Sequence, residues 1–120
     1  MLDQIAFIAR PASDMRRAVD FYRNVLGLTL LFERGDWSEF NAGGIRLALY
    51  QEKHPGPRED LPAVFFTARP IEKILAGLER QGVTLDGELE IHPYGKLARF
   101  FDTEGNRLGL YEPPPGKTSP

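Results

Sequence analysis

Apolar positions along the chain change period several times, and each change marks an element. Gln4 to Ala9 (Gln-Ile-Ala-Phe-Ile-Ala) is a short apolar run closed by Arg10-Pro11, predicting a buried first strand that ends where proline removes the next ladder donor. Ser13 or Asp14 then caps a helix in which Met15, Ala18, Val19, Tyr22, Val25 and Leu26 recur at helical spacing until Gly27 stops it. Leu28–Glu33, Trp37–Asn41 and Ile45–Tyr50 follow as strands, separated by the turn signals Arg34-Gly35-Asp36 and Ala42-Gly43-Gly44. The first half thus reads strand, helix, three strands.

The order then recurs. Ala63–Ala68 is a strand, and Pro70 opens a helix whose stripe is Ile71, Ile74, Leu75 and Leu78, with Gly82 at its end. Three strands are expected after it: a bent one through Thr84–His92 with Gly87 inside, then Leu97–Asp102, then Asn106–Glu112. The closing strands of the halves are near copies, Gly44-Ile-Arg-Leu-Ala-Leu-Tyr-Gln51 and Gly105-Asn-Arg-Leu-Gly-Leu-Tyr-Glu112, so the pattern is a duplication. The expected fold class is α+β, with two tandem βαβββ modules at residues 4–51 and 63–112. A Pro-rich linker at 52–62 joins them, and a flexible tail occupies 113–120.

One helix per half covers one face of each sheet. Period-2 alternation puts Leu47, Leu49, Leu108 and Leu110 under the helices, and leaves Arg46, Ala48, Tyr50, Arg107, Gly109 and Tyr111 on the opposite face. That face is expected to wall a cavity in a curved mixed sheet, although Ala48 and Gly109 could equally be small because a neighbour packs on them.

Composition narrows the chemistry. A chain of 120 residues is long enough for one core shared by both halves and too short for two independent domains. A net charge of -2 with interleaved signs argues against a nucleic-acid partner. The absence of cysteine removes disulfides, thiolate nucleophiles and zinc-thiolate sites, and fits a cytoplasmic location. No apolar run approaches the ~20 residues of a membrane span, and no signal-peptide pattern opens the chain.

Asp14-x6-Phe21-Tyr-Arg-Asn-Val-Leu-Gly-Leu28, together with Phe101-Asp-Thr-Glu-Gly-Asn106, resembles the vicinal oxygen chelate superfamily of glyoxalase I, bleomycin-resistance proteins and extradiol dioxygenases. The resemblance implies a small-molecule site, commonly closed in a homodimer, and in the family's lyases, isomerases and dioxygenases one divalent metal held by His, Glu or Gln. Carried onto this chain, the metal positions fall at Phe7, Ala48, Ala63 and Gly109, none of which has a donor atom. The usual metal site is therefore expected to be absent and no cofactor is expected; the alternative is one divalent ion on non-standard ligands. His54 and His92 lie in the linker and beside a bend, and are read as surface residues.

The expectation is a metal-free cavity for a planar or anionic organic molecule. Its candidate wall is Phe7, Trp37, Arg46, Ala48, Tyr50, Ala63, Phe65, Tyr94, Arg99, Arg107, Gly109 and Tyr111, because aromatic faces suit flat ligands and arginine suits carboxylates or phosphates. A competing reading makes Trp37 and Tyr94 core or lid residues and pairs Arg46 and Arg107 with Glu39, Glu90 or Glu112. For catalysis, Glu39, Glu88 or Glu90 would be general bases and Tyr50 or Tyr111 would stabilise an enolate-like intermediate, although nothing in the spacing selects them.

Overall fold

The computed structural model describes residues 6–53 and 64–116, and the chain divides into two compact units, Met1–Pro57 and Arg58–Pro120. In the first unit the elements are β1 (Ile8–Ala12), α1 (Met15–Asp20) continuing into a π-helical turn (Phe21–Val25), β2 (Thr29–Phe32), β3 (Trp37–Ala42) and β4 (Ile45–Gln51). The strands form a sheet of order β1-β4-β3-β2, with β1 parallel to β4 and the other neighbours antiparallel. The second unit repeats this with β5 (Val64–Thr67), α2 (Ile71–Arg80), β6 (Glu90–His92), β7 (Gly95–Phe101) and β8 (Arg107–Glu112), in the order β5-β8-β7-β6. The architecture is thus two four-stranded mixed sheets, each with its own helix.

Three elements differ from the sequence reading. β1 does not end at Arg10 but runs on through Pro11 to Ala12. It is tolerated because β1 lies at the end of its sheet, where a proline's missing N–H need not be a ladder donor. The first helix widens after Asp20: Leu26 N–H donates to Phe21 O at 3.0 Å, a π-type bond, and the consecutive rings of Phe21 and Tyr22 are both buried. The strand expected through Thr84–His92 is reduced to an isolated bridge, Leu85 with Phe100, and the short β6, because Gly87 turns the chain at φ +86°.

The helix-facing residues fill each unit's core as the alternation requires. Phe40, Leu47 and Leu49 are buried with Ala18, Val19 and Tyr22 in the first unit, and the Tyr22 and Phe40 ring centroids are 5.7 Å apart. In the second unit Phe100, Leu108 and Leu110 are buried with Ile71 and Leu78. Each such large apolar side chain contributes roughly 1.5–3 kcal/mol on burial.

Capping fixes where the helices start. Asp14 accepts from Arg17 N at 3.1 Å at the head of α1. Pro70 precedes α2, and the first N–H of that helix, on Ile71, donates to Glu112 Oε1 at 2.8 Å, so the end of β8 supplies the cap. Pro113 is buried, and residues 117–120, like the linker residues 54–63 and the amino-terminal five, lie outside the described residues. Among the described residues no helix is long and apolar enough to cross a membrane.

The Asp-Thr-Glu-Gly-Asn segment is a structural turn. Asp102 Oδ1 accepts from the backbone N–H groups of Glu104 and Asn106, both at 2.8 Å, while Oδ2 accepts from Asn106 Nδ2 at 2.7 Å. Asp102 N–H donates to Asn106 O at 3.0 Å, and Gly105 takes φ +82° to close the loop. This turn aims β8 across the centre of its sheet.

Candidate functional site

The open face of the second sheet is built in rungs. Register places Phe65 of β5, Gly109 of β8 and Arg99 of β7 side by side, and on the next rung Thr67, Tyr111 and Leu97, with Glu90 of β6 beyond. Neighbouring strands are ~4.8 Å apart, so β5 and β7 stand ~10 Å from each other. Arg99 Cζ nevertheless lies 5.7 Å from the centroid of the Phe65 ring. Ring and guanidinium therefore meet above Gly109, and a Cβ built on Gly109 would overlap Cδ2 and Cε2 of Phe65. A side chain at 109 and the ring at 65 cannot share that space.

Beside this rung is a cavity of about 410 Å³ lined by Phe65, Thr67, Tyr94, Leu97 and Tyr111. Its size falls within the ~300–1,000 Å³ of small-molecule pockets, and its lining is mostly aromatic and apolar. Tyr111 Oη donates to Tyr94 O at 2.7 Å, tying the turn before β7 to β8. Tyr94 is 50% exposed, and its ring stacks on His92 with centroids 4.7 Å apart and planes 6° from parallel. Glu90 links the polar groups: Oε2 accepts from Arg99 Nη1 at 2.7 Å and Oε1 shares a hydrogen bond with His92 Nε2 at 2.8 Å. The bond with His92, and after it the bond from Arg99, holds the Glu90 carboxyl below its ordinary pKa.

The open face of the first sheet has a different chemistry. Ala9, Ala48 and Glu39 share one rung, and Pro11, Tyr50 and Trp37 the next. Glu39 is 8% exposed; its Oε2 accepts from Trp37 Nε1 at 2.7 Å and its Oε1 from Arg46 Nη1 at 3.1 Å. Phe7 meets Trp37 edge to face at 5.1 Å. Both oxygens of Glu39 are thus engaged in holding neighbours, which suits positioning better than proton abstraction.

The residues proposed from sequence divide accordingly. Phe7, Trp37, Glu39, Arg46, Ala48 and Tyr50 lie together in the first unit, with Arg46 in the cross-strand pair with Glu39 that the competing reading anticipated. Phe65, Glu90, Tyr94, Arg99, Gly109 and Tyr111 gather in the second. Arg107 is not among the cavity residues: Nε lies 2.6 Å from Asp86 Oδ2, and its guanidinium packs on Phe101. It lies on Phe101 and not, as Arg99 does, on the Phe65 ring that lines the cavity. Ala63 lies outside the described residues. Thr67 and Leu97 were missed, although each is two residues from a chosen neighbour, Phe65 or Arg99, and so on the same strand face. His92, read as a surface residue, is instead joined to Glu90 and Tyr94.

A family model described as the Glyoxalase/Bleomycin resistance protein/Dioxygenase superfamily matches residues 4–110. The chain belongs to this superfamily. Among curated relatives, Metallothiol transferase FosB of Staphylococcus epidermidis is 38% identical over 118 residues, covering 92% of this chain and 84% of that protein. Among solved structures, TnmS3, an antibiotic binding protein from Streptomyces sp. CB03234, superposes with TM-score 0.79 at 28% identity, covering 94% of this chain and 98% of that one. The fosfomycin resistance protein FosX of Listeria monocytogenes superposes at 0.81 with 13% identity over 96% of this chain and 97% of its own, a likeness of fold alone.

The side chains do not fit a divalent ion at the positions implied by superfamily resemblance. Phe7, Ala48 and Gly109 offer no donor, the Phe65 ring fills the space above Gly109, and no group of three His, Asp or Glu residues converges among the described residues.

Proposed function

We propose that the chain binds a planar, anionic organic molecule on the open face of its second sheet, without a divalent metal at the family's positions. The observation that carries this reading is the Phe65 ring lying over Gly109, where a liganding side chain would have to stand. Tyr94, Tyr111 and Leu97 supply the walls, and Arg99, outside that lining but bound to Glu90 and lying over the Phe65 ring that belongs to it, supplies the cation. TnmS3, described as an antibiotic binding protein, is a relative of nearly equal extent and supports sequestration over turnover. A homodimer is part of the same proposal: Leu31 and Phe32 are exposed on β2, an end strand of its sheet.

A second reading is favoured by one specific relative. FosB, a metallothiol transferase by description, is 38% identical across most of this chain, which supports metal-dependent transfer through non-standard ligands. Elemental analysis of the purified protein separates the two, paired with thermal shift in 2-naphthoate and in nickel, zinc, manganese or iron(II). The metal-free reading expects a blank in metal and a rise in melting temperature with 2-naphthoate, since a ligand of the native state stabilises it by mass action. About one equivalent of tightly held metal overturns it.

A further inference from the structure

Two glycines of the second unit lie beneath aromatic rings that line the cavity. At Gly95 a Cβ would stand 2.7 Å from Tyr111 Cε1 and 2.5 Å from the Glu112 carbonyl oxygen; at Gly109 it would overlap Phe65. Gly95 also has φ +137°, so backbone and space both select glycine there. Gly109 is different. Its φ is not in the left-handed region, and it sits in a central strand, where glycine weakens the ladder and packs nothing. Space alone accounts for it, and the space is occupied by a ring that is still 40% exposed.

Resting on the proposed binding function, we infer that Gly109 and Phe65 are a specificity-determining pair that makes the cavity select flat aromatic carboxylates. Because position 109 has no side chain, the ring of Phe65 lies down over β8, where it forms a flat floor with the Arg99 guanidinium over it, Cζ 5.7 Å from the centroid. Tyr94 provides a second aromatic surface, already in a parallel stack with His92 and half exposed to a further ring. A fused-ring acid can stack on such surfaces and place its carboxylate at Arg99, whose Nη1 is the guanidinium atom bound to Glu90. A globular acid of equal charge gains the ion contact but not the stacking.

The test compares 2-naphthoate with adamantane-1-carboxylate, which match in charge and carbon count and differ in shape, by calorimetric titration of the full chain. Wild type is expected to prefer naphthoate by about tenfold or more, a stacking-sized difference. Phe65→Ala should weaken naphthoate by about tenfold and cut the preference by the same factor, leaving only the share that Tyr94 supplies. Gly109→Ala, which must lift the ring, should weaken naphthoate similarly, and Phe65→Ala/Gly109→Ala should be no weaker than Phe65→Ala alone, because the added methyl then has no ring to displace. Retention of the full preference in Phe65→Ala, or wild-type binding by Gly109→Ala, overturns the pair while leaving the binding function standing. Should Gly109→Ala not fold, Phe65→Ala and the double variant decide. Failure of wild type to bind either acid overturns the binding function itself, and the pair with it.

Discussion

Replacing Asp102 tests whether the turn before β8 is held by one carboxylate. Its two oxygens divide the work: Oδ1 takes both backbone N–H groups, and Oδ2 takes Asn106 Nδ2. Asp102→Ala removes these three bonds from a site where Asp102 is 7% exposed, leaving two buried N–H groups without this acceptor. Hydrogen bonds to charged groups contribute roughly 1.5–3 kcal/mol and each stranded buried donor costs roughly 1–3 kcal/mol, but these overlap, so the expected loss is about 3–5 kcal/mol. Asp102→Asn behaves differently, because its amide oxygen can keep both backbone donors while its NH2 faces the NH2 of Asn106. One bond of three is lost, at about 1–2 kcal/mol. Urea denaturation followed by circular dichroism measures both, with the midpoint moving and the slope unchanged. Equal losses in the two variants, or a loss below about 1 kcal/mol in Asp102→Ala, would refute the assignment.

Four further outcomes follow from the cores and the ion pairs. Phe100→Ala, at a fully buried ring in β7, should cost about 3–5 kcal/mol in the same assay. Trp37 is the sole tryptophan, so its emission reports the Glu39 bond directly: Glu39→Ala should shift the spectrum while Glu39→Gln, which retains an acceptor, should hold it near wild type. The Glu90 carboxyl titrates lower in the fold than its ordinary 4.5, so its contribution is present above that value and lost as pH falls through the lowered one. Melting temperature should therefore fall less steeply in acid for Glu90→Gln than for wild type, and identical acid limbs would contradict the coupling. Lys96 has the opposite sign: its hydrogen bond to Glu72 raises it above 10.5, so its contribution is present below that value and lost as pH rises through the raised one.

The hydrophobic pattern was enough to read the duplicated order of elements, because strand and helix periods differ and each module has a helix stop at Gly27 or Gly82. It misjudged the places where local chemistry gave way to tertiary context. Pro11 stays in β1 because an end strand does not need its N–H, and Phe21–Tyr22 buries two successive rings by widening a helical turn. At the site, alternation put Phe65, Gly109, Arg99 and Tyr111 on one face. It could not say what each arginine would pair with: Arg107 and Arg99 have the same face assignment, yet one is held by Asp86 on Phe101 and the other by Glu90 against the Phe65 ring. The partner Asp86 lies on a bend whose course depends on Gly87, which periodicity does not encode.

The two modules keep one feature of their central rung and reverse another. In both, the middle strand contributes a residue with little or no side chain, Ala48 or Gly109, and its antiparallel neighbour contributes a charge. That charge is Glu39 in the first module and Arg99 in the second. Glu39 is enclosed by Trp37 and Arg46, so its carboxylate is spent inside the first sheet. Arg99 faces Glu90 on one side and on the other the Phe65 ring that lines the second sheet's cavity, and retains a planar guanidinium. A divalent ion requires convergent anionic or neutral donors, and a guanidinium at this rung opposes it by charge as the Phe65 ring does by volume. An anionic ligand meets neither obstacle. Under the proposed function, Phe65, Arg99 and Gly109 together suit the second module's central rung to a flat anion rather than to a cation.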